Sequence, residues 1–182
     1  MLTTYGRYMA IVPAGSAARS PGVRLAMAAV AAVVIVVDQV SKTLVLASHP
    51  AAGAGWVTIR LVRNTGANGG IGAGYPVAVT LAAVLIASVA GAFAVRVRGR
   101  ATALFLAAVL GGALGNLSDR VFRSPGFGRG PVVDWIHLGV SNGSFNVADM
   151  AIQAGILGAV IAMFASERPR KARQPRENVN PG

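Results

Sequence analysis

Four long apolar runs constrain this chain more than any other feature of its sequence. They cover about residues 25–47, 77–95, 101–118 and 146–166, and the second and third contain no charged residue. A helix that rises 1.5 Å per residue needs about 20 mainly apolar residues to cross a bilayer. Only 13% of the 182 residues are charged, against roughly 25% in an ordinary soluble domain. The runs therefore predict an all-α membrane protein with four transmembrane helices.

The runs also divide the chain into three regions. Residues 25–166 are expected to form one membrane domain, and residues 1–24 a disordered N-terminal extension. Residues 167–182 are expected to be a disordered basic tail. A cleaved signal peptide over residues 1–46 is the alternative for the start of the chain, but the first apolar run continues past a charged pair that would be unusual in a removable segment.

The basic residues predict how the helices are oriented. Lys and Arg are enriched at the cytoplasmic ends of membrane helices. Here they cluster before the first run, between the second and third runs, and after the fourth. We therefore expect both termini to be cytoplasmic. This distribution accounts for the net charge of +11, so no nucleic-acid partner is expected.

Two longer segments, about 48–76 and 119–145, then lie on the opposite side of the membrane. Alternating apolar and polar residues over 57–61 predict a short strand or hairpin. We expect it to form a small extracytoplasmic β element between helices 1 and 2. The apolar run 132–136 is compatible with an extended segment or with a short interfacial helix.

On this topology the polar side chains gather at one depth, the outer boundary of the bilayer. Ionisable groups at membrane depth are costly and usually mark function or pairing. The residues concerned are Asp38, Lys42, Asn64, Asn116, Asp119, Arg120, Asp134, Asn146 and Asp149.

Several of these residues also have a purely structural interpretation. Asp38 and Lys42 have the i, i+4 spacing of an intrahelical ion pair. Asp119 belongs to a polar group that could brace the third helix, and Asp149 could cap the fourth. Asp134 lies in an apolar run without a basic neighbour in sequence, so it is either an interfacial accident or a functional acid.

Two carboxyl groups held close together share a proton and supply both an acid and a base, as in aspartic proteases. Other protease chemistries have few candidate residues here. The chain has no Cys and no H-E-x-x-H motif, and its two histidines are His49 and His137. No metal or other cofactor is expected.

Five blocks of sequence resemble the lipoprotein signal peptidase (signal peptidase II) family of bacterial inner membranes. In chain order they are DQVSK at 38–42, RNTGA at 63–67, GGALGNLSDR at 111–120, VVDW at 132–135 and FNVAD at 145–149. The family usually has a bulky aromatic residue shortly after the second block, where this chain continues Asn-Gly-Gly.

The resemblance implies a four-helix aspartyl endopeptidase without a cofactor. Enzymes of this family remove signal peptides from diacylglyceryl-modified prolipoproteins by cutting before the lipidated Cys, and the resemblance implies the same activity here. The matching positions make Asp134 and Asp149 the catalytic pair. The residues implied to bind substrate or support the site are Asp38, Lys42, Asn64, Gly66, Asn116, Asp119, Arg120 and Asn146. Membrane lipid and globomycin-type inhibitors are implied as further partners, and we expect a monomer.

Two other classes of protein remain as alternatives to a protease. A small transporter or channel could use intramembrane Asp and Lys as an ion relay, but it would favour charges at several depths and an inverted repeat. A non-catalytic subunit of a membrane assembly would leave the carboxyl groups of Asp134 and Asp149 far apart.

Overall fold

The computed structural model of the chain describes residues 20–48, 55–67, 70–139 and 143–166. Its elements, in chain order, are helix α1 (Pro21–Ser48), strand β1 (Val57–Asn64), helices α2 (Pro76–Arg96) and α3 (Arg100–Phe122), strands β2 (Val132–Leu138) and β3 (Ser144–Phe145), and helix α4 (Val147–Ser166). All four helices are long and apolar enough to cross a membrane. The prediction of four spans is confirmed.

Two helix boundaries differ from the sequence prediction. Helix α1 begins at Pro21, inside the predicted 1–24 extension, because Pro is well suited to the first position of a helix and Arg24 does not interrupt it. Helix α3 continues through its polar end to Phe122, where the apolar run had suggested an end near residue 118. Most of the predicted extension and the whole predicted tail, residues 1–19 and 167–182, lie outside the described residues.

The β element is a three-stranded antiparallel sheet with the order β1-β2-β3. Strand β1 lies between α1 and α2, as the alternation predicted. Its partner β2 comes from the segment between α3 and α4, and the run 132–136 is extended rather than helical. The sheet therefore joins the two segments that connect the helices at one end of the bundle.

A bulge interrupts the pairing of β1 with β2. Ile59 pairs with Ile136 and Val62 pairs with Asp134. Two residues of β1 therefore stand opposite one residue of β2. Such an insertion bends a strand and changes the direction of its side chains.

Helix α3 is the centre of the bundle, because it packs against α1, α2 and α4. Glycines make this close packing possible. A Cβ at Gly111 would lie 2.7 Å from the carbonyl oxygen of Ala31 in α1, and a Cβ at Gly112 would lie 2.5 Å from that of Ala148 in α4. Small residues of this kind let membrane helices approach backbone to backbone.

We expect Gly112→Ala to force α3 and α4 apart and to lower the free energy of unfolding by about 1–3 kcal/mol, as overpacking usually does. The measurement is reversible unfolding in detergent micelles. Gly91→Ala is the matched control, because the nearest atoms to its added Cβ are the methyl groups of Leu110 at 3.9 Å. Equal stability of the two variants would contradict the packing interpretation.

Candidate active site

A buried lysine lies at the centre of the polar residues. The ammonium of Lys42 is fully buried and contacts Asp38 Oδ2 at 2.7 Å and Asp119 Oδ2 at 2.9 Å. It also donates a hydrogen bond to Asn116 Oδ1 at 2.9 Å. Its three N–H donors thus meet three acceptors, two of them charged. A buried cation needs this degree of pairing to offset its lost hydration.

The two carboxylates around this lysine fasten other elements to it. Asp38 accepts the backbone N–H of Ala148 at 3.0 Å, which ties α1 to the first turn of α4. Asp119 accepts the backbone N–H of Val133 at 3.1 Å, which ties α3 to β2 immediately before Asp134. Both contacts fix the backbone beside a candidate catalytic residue.

Asp134 projects from β2 and is 2% exposed. Its Oδ1 accepts a hydrogen bond from Asn146 Nδ2 at 2.7 Å, and its Oδ2 accepts one from Asn64 Nδ2 at 2.9 Å. Burial raises the pKa of Asp134 to about 6; the charge of Asp149 adds to this effect, and the hydrogen bonds from the two asparagines oppose it. The apolar run in which Asp134 lies contributes to this burial.

Asp149 lies in the first turn of α4, where it takes part in a reciprocal cap. Its backbone N–H donates to Asn146 Oδ1 at 2.9 Å, while its Oδ2 accepts the backbone N–H of Asn146 at 3.2 Å. This is the geometry of a capping box. Its Oδ1 remains available and accepts Asn116 Nδ2 at 2.9 Å. Capping and a role in the site are therefore compatible in this residue.

Two amides connect the aspartates to each other and to the buried lysine. Asn146 bonds to Asp134 through its side chain and to Asp149 through its backbone. Asn116 Oδ1 accepts from both Lys42 and Asn146 Nδ2, the latter at 3.1 Å, so its NH₂ group is turned toward Asp149. The cation thus determines which side of the Asn116 amide faces the acid.

Arg120 and Gly66 form a different part of the site. The guanidinium of Arg120 donates to the carbonyl oxygens of Thr65 and Gly66, just after β1. A Cβ at Gly66 would lie 2.5 Å from the carbonyl oxygen of Ile71, so only glycine fits there. Both residues therefore shape the turn that follows Asn64.

A cavity of about 280 Å³ opens beside Asp134. It is bounded by β1, by residues of the 70–73 turn and by the start of β3. Among the described residues, no three or more His, Cys, Asp or Glu side chains form a group that could hold a metal ion.

The structure thus brings all ten predicted site residues into one connected region at one end of the bundle. Sequence reasoning missed Gln39, whose Nε2 donates to Asp38, to Asp119 and to the carbonyl oxygen of Gly115. It also missed Arg123, which contacts Asp119 at 2.6 Å. The i, i+4 spacing of Arg123 was an available signal, whereas Gln39 had no comparable one.

The fold and the site define a class of protein: a four-span membrane protein with a pair of linked carboxyl groups at one end of its helices. The comparisons agree with this class and identify the family. A family model described as signal peptidase (SPase) II matches residues 30–165. The chain belongs to the signal peptidase II family, as the sequence blocks indicated, and is therefore a protease of a bacterial membrane.

Individual relatives show the same relation. The lipoprotein signal peptidase of Leifsonia xyli is 36% identical over 138 residues, which are 73% of this chain but 64% of that relative. The lipoprotein signal peptidase of Mycobacterium avium is 38% identical over 181 residues, covering 91% of this chain and 98% of the relative. A solved bacterial membrane enzyme, 23% identical, has a TM-score of 0.68 over 82% of this chain and 94% of its own, and shares the fold.

We expect Lys42→Met to reduce the free energy of unfolding by about 3–5 kcal/mol, the usual effect of leaving buried charges without a partner. Arg123→Met is the matched control, because the arginine side chain is 23% exposed and its loss is expected to cost about 1 kcal/mol or less. Denaturant unfolding in micelles measures both. Similar losses of unfolding free energy in the two variants would show that the buried lysine stabilises the fold no more than the partly exposed arginine does.

Proposed function

We propose that the chain is an aspartyl endopeptidase that removes signal peptides from diacylglyceryl-modified prolipoproteins by cutting before the lipidated Cys. The main support is the linkage of Asp134 and Asp149 through Asn146, because this one residue holds both carboxyl groups, that of Asp134 with its side-chain amide and that of Asp149 with its backbone N–H. Family membership supports the lipoprotein substrate. No cofactor takes part in the proposed reaction.

In the proposed mechanism the two aspartates share one proton and hold a water molecule between them. One aspartate, as the carboxylate, removes a proton from the water while the water oxygen attacks the scissile carbonyl carbon. The other aspartate, as the carboxylic acid, protonates the carbonyl oxygen. In the next step the roles reverse: the first aspartate gives its proton to the leaving amide nitrogen and the second takes back the proton from the hydroxyl group. Burial of Asp134 favours this scheme, since a pKa of about 6 allows it to carry a proton close to neutral pH.

We further propose that the site lies at the outer leaflet boundary of the cytoplasmic membrane, with both chain termini in the cytoplasm. The short connection between α2 and α3 contains Arg98 and is flanked by Arg96 and Arg100, the end residues of the two helices, at the end of the bundle opposite the sheet. Basic residues there favour a cytoplasmic position. A globomycin-type inhibitor, implied by the family resemblance, is expected to compete with the substrate, and we expect the enzyme to be monomeric.

Asp134→Asn and Asp149→Asn are each expected to abolish cleavage of a diacylated model preprotein, with kcat/KM reduced by at least about a thousandfold. Each Asn retains the shape of the side chain but cannot exchange the proton. Unfolding midpoints close to that of the unsubstituted protein would separate chemistry from stability. Normal cleavage by either variant would rule out the catalytic pair.

The transporter alternative is tested with the same proteins. The ionisable side chains of the described helix interiors gather at one end of the bundle, whereas an ion relay needs charges at several depths. We therefore expect proteoliposomes that contain the chain to show substrate cleavage without ion flux. Flux that is lost with Asp134→Asn while cleavage persists would favour a transporter.

The pH dependence of cleavage is expected to report Asp134. A pair that shares one proton is active between two ionisations, so kcat/KM against pH follows a bell with one limb near pH 6. The hydrogen bond from Asn64 stabilises the charged form of Asp134 and lowers its pKa. Asn64→Ala should therefore move this limb to higher pH, by about one pH unit, because the carboxylate of Asp134 loses a hydrogen bond.

The control for this experiment is Ser88→Ala, which removes an exposed hydroxyl that donates within α2. Its profile should coincide with that of the unsubstituted enzyme. If the limb near pH 6 stays in place in Asn64→Ala, a group other than Asp134 produces it.

A further inference from the structure

Two arginines at the cavity beside Asp134 lack a partner within the described part of the chain. Arg60 and Arg63 both line this cavity and are exposed. The ion pairs found among the described residues use Lys42 and Arg123 instead. The acidic side chains in the described ranges are all buried or half-buried. The positive charge at the cavity is therefore available to an external anion.

The β1 bulge places Arg60 and Arg63 on the same face of the strand. Side chains alternate between the two faces of a regular strand, so residues three apart face opposite sides. The extra residue between Ile59 and Val62 breaks this alternation between Arg60 and Arg63. Bulges that change side-chain direction beside an active site are a recurrent device.

The position of the cavity indicates which part of a substrate would reach it. It is bounded by the sheet and by the 70–73 turn, outside the four apolar helices. The core of a signal peptide is apolar and belongs with those helices. The polypeptide that follows the cleavage point is the part left to occupy a polar cavity.

We propose that Arg60 and Arg63 form a carboxylate-binding subsite for an acidic side chain within the first few residues after the lipidated Cys of the substrate. This inference rests on the proposed peptidase function. The guanidinium groups would pair with the Asp or Glu carboxylate in an arrangement that Arg favours. The subsite discriminates among substrates but does not take part in the cleavage step.

The test compares three diacylated peptides that differ only at the second to fourth residues after the Cys, which are Asp, Ser or Lys. In neutral detergent at low salt we expect kcat/KM for the Asp peptide to exceed that for the Lys peptide about fivefold, since each partly exposed pair contributes modestly. The preference should shrink in 0.5 M salt, a concentration that screens exposed charges strongly.

The double variant Arg60→Gln/Arg63→Gln should cut all three peptides at similar rates, and Arg60→Glu/Arg63→Glu should prefer the Lys peptide. Arg129→Gln is the matched control, because Arg129 is also exposed but does not line the cavity. It should retain the preference of the unsubstituted enzyme. A preference that is unchanged in both double variants would overturn the subsite.

A binding measurement with the same Asp and Lys peptides separates this inference from the proposed function. Charge-dependent binding that requires both arginines would support the subsite even if neither peptide were cut, whereas charge-independent binding would overturn it. If the double variants lose activity only in vesicles of anionic lipid, and equally for all peptides, the arginines bind lipid headgroups and the inference is wrong.

Discussion

The burial of one ammonium group is the constraint on which the rest of the site depends. Lys42 is held inside the bundle by Asp38, Asp119 and Asn116. An unpaired charge at that depth would be far too costly, so both aspartates must be in place for the helices to pack. Each aspartate then uses its remaining acceptor capacity on the backbone of another element. The same two aspartates therefore neutralise the buried ammonium and position the backbone around the site.

The contacts of the four acids bear on two interpretations that the sequence left open. Asp38 and Asp119 bond to Lys42 and to backbone N–H groups, which is the pattern of a structural brace. Among the described residues, Asp134 and Asp149 accept hydrogen bonds from side-chain and backbone amides and form no ion pair, and Asn146 contacts both of them. Acids neutralised by a buried cation are poorly suited to exchange protons, whereas acids held by amides retain that capacity. The four acids thus fall into two groups according to their partners, which supports the proposed catalytic pair.

Much of the fold followed from the sequence, for identifiable physical reasons. Uncharged runs of membrane length predict helices because lipid leaves the backbone no other hydrogen-bond partner. The i, i+4 and i, i+3 spacings predicted which polar residues share a helix face. The pairing of β1 with β2 could not be predicted, because it joins residues 68 to 81 positions apart whose alternation is short and irregular. The bulge could not be predicted for the same reason, and neither could the shared position of Arg60 and Arg63.

Asn146 shows why a fold and its site are hard to separate in a chain this small. It precedes α4, and its side chain and backbone exchange hydrogen bonds with Asp149 as a helix cap. The same side chain donates to Asp134 on the sheet. Formation of the first turn of α4 therefore sets the position of Asp149 relative to Asp134. The proposed catalytic pair can assemble only when the sheet and α4 are both formed, so the local rule that starts a helix also fixes the geometry of the chemistry.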